Sequence, residues 1–316
     1  MRALLLLLAF ASCATAQDYP ARAIRIVVAF PAGGGSDLAA RVVGQKLAER
    51  VGQPVVVENR VGANGNIGAE AVARAAPDGY TLVMGSNANI TTNPHLMALG
   101  YDPMKDLAPV AMLTVNPLLL FVNPSVVPVN TFQEFLAYAK AQGAKLHYAS
   151  AGNGSPAHLS AELLKMMTGL EMVHVPYKGG PQGVSDVLGG RVGLMFAAAP
   201  TVLPQVRAGK VRGIAMTGAQ RSMFAPEIPT IAESGFPDFD VVIWNALFAP
   251  GATPPAILAR LHGEIGRVLA QPDTRELLLK QGAEPTPLEP AALRQLLQSE
   301  YARWGKVIRE ARIKVD

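Results

Sequence analysis

The residues best able to do chemistry lie in three loops: Pro31-Ala32-Gly33-Gly34-Gly35-Ser36, Gly85-Ser86-Asn87-Ala88-Asn89 and Ser150-Ala151-Gly152-Asn153-Gly154-Ser155. What they share is neutral hydrogen bonding, through hydroxyls, side-chain amides and glycine N–H groups. Oriented donors at a helix start can hold a carboxylate without a full counter-charge. Phe30 and Pro31 would add an apolar wall. No catalyst accompanies these donors. GGGSD differs from GxGxxG because Asp37 stands where the last glycine should be, and no GxxxxGK[ST] occurs. Ser155 in AGNGSP lacks the GxSxG elbow. His158, one turn further on, could act as a base, but Ser155 cannot both cap the helix and present its hydroxyl to that imidazole. His95, His147, His174 and His262 are scattered without metal-ligand spacing, and HExxH is absent. Asp37 suits a helix start electrostatically and needs no chemistry. These residues read as a binding site for an anion, with no cofactor and no metal.

The elements that must carry the loops alternate between strand and helix, which argues for an α/β fold with largely parallel sheets. Ile24 to Phe30 reads as a strand, followed by the glycine turn and a helix over Asp37 to Val51. Pro54 to Glu58, Thr81 to Met84 and Leu146 to Ser150 read as further strands, with a helix at Ile67 to Ala75. So do Met172 to Tyr177, Val192 to Ala197 and Val211 to Met216. Thr131 and Glu134 form a capping box, and Ser155-Pro156 opens another helix. Strand, glycine loop and helix thus recur about 120 residues apart, and open α/β sheets bind ligands at such strand ends. Facing each other from two lobes, the recurring units would line one cleft.

Composition agrees with a folded, exported chain. It is 50% hydrophobic and 16% charged, enough to bury a substantial core, with a formal charge of +4. Aromatics are 6% and no basic stripe interleaves them, which excludes nucleic acid as a partner. Met1-Arg2, the apolar run Ala3 to Ala11 and Ala14-Thr15-Ala16 have the parts of a secretory signal peptide over 1–16, leaving Gln17 as the mature start and a periplasmic location. Cys13 would be a lipidation site, but Phe10-Ala11-Ser12 is an imperfect lead-in, so simple cleavage is expected.

In combination, several stretches resemble the Bug-type receptors of tripartite tricarboxylate transporters. They are YPARAIRIVVAFPAGGGSDLAAR at 19–41, VVVENRVGANGNIGAEAVARAAPDGYTLVMGS at 55–86, ASAGNGSPAHLSAELL at 149–164, HVPYKGGPQGVSDVLGGRV at 174–192 and VLPQVRAGKVRGIAMTGAQR at 202–221. The resemblance implies a type II periplasmic binding protein: two lobes, 17–122 plus 225–316 and 123–224, with a central ligand cleft and crossing hinge strands. It implies a crossing near Pro117 to Asn123 and a return near Arg212 to Gln220. It also implies a monomer that captures a small organic carboxylate and delivers it to membrane transporter subunits. A receptor feeding a two-component sensor is the alternative, and a secreted α/β hydrolase a weaker one. The ligand contacts then implied are Phe30, Ala32, Gly33, Gly34, Gly35, Ser36, Ser86, Asn87, Ser150, Ala151, Gly154, Ser155, His158, Tyr177, Lys178, Ala197 and Ala198. Relatives often carry a run like MFDNLP where this chain reads Met195-Phe196-Ala197-Ala198-Ala199-Pro200. Three alanines there suggest an apolar surface that disfavours amino acids, whose ammonium group wants an anion.

Overall fold

The computed structural model describes residues 19–315, so the leader, Cys13 and the Ala16/Gln17 junction lie outside the described residues. The first part runs β1 (Ile24–Val28), α1 (Gly35–Val51), β2 (Val55–Asn59), α2 (Asn66–Ala73), β3 (Thr81–Ser86) and the long β4 (Leu107–Val122). There follow α3 (Phe132–Gln142), β5 (His147–Ser150), α4 (Pro156–Thr168), β6 (Val173–Pro176), α5 (Gly180–Leu188), β7 (Leu194–Ala198), α6 (Ala199–Arg207) and β8 (Arg212–Met216). The chain closes with β9 (Val242–Pro250), α7 (Pro255–Leu269), α8 (Pro272–Lys280), β10 (Glu284–Pro285) and α9 (Pro290–Glu310).

Two sheets share β4. Its first part pairs with β9 and β10, in a sheet ordered β2-β1-β3-β9-β4. Its last residues pair with β7 and β8, in a sheet continuing β4-β7-β5-β6. Apolar alternation explains the layering. Ile24, Ile26 and Val28 pack on the side of α1 and α7, while Val27 and Ala29 pack on the side of α2 and α9. Ser155 caps α4 by accepting from the His158 N–H, and Thr131 caps α3 through Glu134, so both caps expected from sequence are formed.

The chain passes between the sheets at Pro117-Leu118, where β4 pairs successively with Val242 and Ala198. Thr217 pins this point: its N–H donates to Leu118 O at 2.9 Å and its hydroxyl to Val241 O at 2.6 Å. The return into the first sheet is at Val242, where β9 begins, downstream of the Arg212 to Gln220 expected from sequence, because Arg212 to Met216 are held as a strand of the second sheet. Between them Ile231, Phe239 and Val241 stay in the second sheet's core. Helix α9 belongs to both cores, with Leu293 and Leu297 against the first sheet and Trp304, Val307 and Ile308 against the second.

Candidate binding cleft

The first glycine loop leaves β1 and enters α1. Gly33 has φ +78°, a left-handed conformation suited to glycine. The buried Asp37 carboxylate accepts from the Gly33 N–H at 2.9 Å, from Arg41 Nε at 3.0 Å and from Asn59 Nδ2 at 2.9 Å. Burial alone would raise this carboxyl, but those donors outweigh it and hold it below the usual range. Asp37 is therefore a tie for the loop. Ala32, Gly33, Gly34 and Gly35 are exposed beside it.

Beneath Ser36 lies a polar row. Registers Ser86↔Asn245 and Thr114↔Asn245 put three side chains side by side on one face of β3, β9 and β4. Ser36 Oγ donates to Asn245 Oδ1 at 2.5 Å, and Asn245 Nδ2 donates to Thr114 Oγ1 at 3.2 Å. Asn87 donates to Val242 O at 3.2 Å, tying its loop to the return strand. Glu300 of α9 secures the same loop by accepting from Thr91 Oγ1 at 3.1 Å and from Trp244 Nε1 at 2.8 Å.

Across from this loop stands the second lobe. A cavity of about 440 Å³ is lined on one side by Asn64, Asn87, Ala88, Thr92 and Leu96 and on the other by Ala151, Asn153, Gly154 and Ser155. None of its lining residues carries a charged side chain. Ala63 and Asn64 take left-handed φ values of 46° and 52°, and Asn64 and Asn93 exchange hydrogen bonds of 3.0 and 3.1 Å that hold the turn.

The structure thus gathers Asn87, Ala151, Gly154 and Ser155 around one cavity, and joins Ser36 and Ser86 through Asn245. Other candidates sit elsewhere. Phe30 packs beneath Gly65, where an added Cβ would come within 2.9 Å of its ring. Tyr177 donates to Asp186 at 2.7 Å, and Lys178 is exposed on the same loop. Ala197 and Ala199 are buried in the second sheet's core, which leaves Ala198 alone half-exposed. Ser150 is fully buried, with Oγ 2.6 Å from His174 Nε2 and accepting from the Gly152 N–H at 3.0 Å. That Ser–His pair is inaccessible to a substrate. His158 likewise points inward, its Nδ1 accepting from the Gly154 N–H at 3.1 Å, so neither Ser155 nor Ser150 is an activated nucleophile.

Sequence reasoning missed Asn245, Thr114, Asn64 and Thr92. Asn245 could have been noticed as the one amide inside VVIWNALFAP. Among the described residues no group of three or more His, Cys, Asp or Glu is placed to hold a metal, and no helix is long and apolar enough to cross a membrane.

Gly34 is the residue at which to test the loop. Its φ of −76° tolerates a side chain, and an added Cβ would meet only Pro31 O at 3.2 Å. Gly154 is no clean test, because φ is +71° and an added Cβ would lie 2.8 Å from Leu96. We expect Gly34→Val to cost about 1–2 kcal/mol of stability while weakening carboxylate binding by about tenfold. Calorimetry beside a thermal melt checks both halves.

The family model "Tripartite tricarboxylate transporter family receptor" matches residues 39–313. Protein BugT of Bordetella pertussis is 38% identical over 303 residues, covering 95% of this chain and 93% of that protein. Among solved structures, the R. palustris protein Rpa4515 with adipate is 37% identical with a TM-score of 0.75, over 94% of this chain and 99% of that one. MatC from Rhodopseudomonas palustris with bound malate is 35% identical with a TM-score of 0.71, over 92% and 100%. A TctC solute-binding protein from Polaromonas, solved with no ligand, is 28% identical with a TM-score of 0.84, over 92% and 99%.

Proposed function

Because the chain belongs to the tripartite tricarboxylate transporter family of periplasmic solute-binding receptors, we propose that it captures a small organic carboxylate between its lobes and hands it to a membrane transporter. The observation that carries this reading is the uncharged polar row of Ser36, Asn245 and Ser86 beneath the exposed glycine amides at the start of α1. A carboxylate there gains oriented hydrogen bonds and the helix-start potential without the cost of desolvating a cation. The opposing loop, Ala151 to Ser155, adds donors only when the lobes approach, so closure follows from the ligand's preference for the closed state.

The proposal includes export with removal of 1–16. It divides the lobes where the packing changes, with 118–241 and the end of α9 forming the second lobe and the remainder the first. It also includes a preference for simple acids over amino acids, which now rests on Ala198 and on the uncharged cavity lining. Thermal shift with adipate, malate, citrate and aspartate tests the reading. A bound acid at a hundred times its Kd should stabilise by about 2.7 kcal/mol, and aspartate should give no shift. Failure of every di- and tricarboxylate would refute the ligand class, and tighter binding of aspartate would refute the preference.

A further inference from the structure

The second lobe's loop rests on a column of three rings. Tyr148 of β5 stacks on His174 of β6 at 5.0 Å and 19°, and His174 stacks on His158 of α4 at 3.8 Å and 18°. Each imidazole reaches a different part of the loop above. His158 Nδ1 accepts from the Gly154 N–H at 3.1 Å. His174 Nε2 lies 2.6 Å from Ser150 Oγ, which in turn accepts from the Gly152 N–H at 3.0 Å. Both glycines have positive φ, +118° at Gly152 and +71° at Gly154, so the turn depends on restraints of this kind.

Resting on the carboxylate-receptor reading above, we propose that His158 and His174 are positioning residues whose uncharged, stacked imidazoles hold Gly152 to Ser155 in the shape that meets the ligand. For His158 the bond it accepts requires the uncharged form. A ring nitrogen that accepts from an amide cannot itself carry a proton, so His158 must be the Nε2–H tautomer. Its Nε2 then faces Glu162 Oε1 at 4.0 Å. A proton on Nδ1 would set two N–H groups against each other and free Gly154. Two imidazolium rings stacked at this separation would also repel in a buried setting.

The charged and titratable groups facing the pair favour neutrality. They are Glu162 and Lys165 on α4 and Tyr148 on β5. Glu162 would draw a proton toward the rings, but it already accepts from Lys165 at 2.8 Å and from Tyr148 at 2.6 Å. Burial, then the neighbouring imidazole, push His158 down to about 4, and burial pushes His174 down as well.

Imidazole and amide NMR on the unliganded protein tests this without any ligand. We expect His158 to stay neutral to below about pH 5, and the Gly154 amide to shift and lose exchange protection at the His158 midpoint. A His158 that titrates near the ordinary histidine value with an unmoved Gly154 amide overturns the proposal. Calorimetry with adipate at neutral pH forms the second arm. His158→Leu should bind about tenfold more weakly, whereas His158→Asn, whose Oδ1 can replace Nδ1 as acceptor, should stay within about threefold of wild type. Wild-type affinity in a folded His158→Leu variant also overturns it. If adipate does not bind the unsubstituted protein, the probe has failed and the ligand class must be sought elsewhere. The coupling of Gly154 to His158 still decides this proposal, as it does if a variant does not fold.

Discussion

An aspartate in place of Asn245 should nearly abolish carboxylate capture while leaving the fold in place. The substitution keeps the shape and keeps an oxygen to accept from Ser36, and Thr114 can turn its own hydroxyl to donate. What changes is charge. Asn245 is 3% exposed and stands between Ser86 and Thr114 beneath the start of α1, where an anionic side chain would oppose an anionic ligand in a poorly screened setting. We expect a loss of about a hundredfold in affinity for adipate or malate, about 3 kcal/mol. Burial should raise the pKa of the new carboxyl. It is then charged at high pH and neutral at low pH, so the penalty should shrink as pH falls. Calorimetry across pH, with a melt of the unliganded variant, reads both effects. An undiminished affinity at alkaline pH would place the anion somewhere other than this row.

Removal of the Trp304 side chain should produce the largest loss of stability. Trp304 is 1% exposed on α9 and belongs to the second sheet's core with Leu164 of α4 and Val307. Trp304→Ala leaves a large cavity, and such truncations cost about 3–5 kcal/mol. Its Nε1 is buried with no hydrogen-bond partner among the described residues. Trp304→Phe therefore gives up an unsatisfied donor along with some volume and should cost much less. Because Leu293 and Leu297 of the same helix pack on the first sheet, a urea melt of Trp304→Ala should remain one transition at lower denaturant. Two separated transitions would mean that α9 does not couple the lobes.

Local rules carried the sequence reading a long way. The run Ile24 to Val28, the Ser155-Pro156 helix start and the Thr131 cap rely on period, capping and turn chemistry that act within a few residues, and all three are formed. The full length of β4 and the whole of β9 were not readable. Val115 and Trp244 have the same apolar character as neighbours that would suit a helix, and only their pairing across the chain makes them strand. The site shows the same division. Glycine loops announce themselves, but Asn245 became a candidate only once β9 lay between Ser86 and Thr114. The resemblance implies His158 as a ligand contact, whereas its stacking on His174 and its bond from the Gly154 N–H make it a support for the loop.

The order in which the strands occur along the chain also governs how the molecule can be assembled. The second sheet draws β4, β5, β6, β7 and β8 from one uninterrupted run, Leu118 to Met216. The first sheet has no such independence, since β3, paired on one side with β1, finds its other neighbour only when Val83 meets Phe248. Long-range pairing of this kind is slow to form because the loop must close before any contact rewards it. A chain emerging from its amino end therefore has every strand of the second sheet before β9 arrives, although that lobe's core still waits for Trp304, Val307 and Ile308 of α9. Until β9 arrives, β3 waits with one edge unpaired and open to the wrong strand.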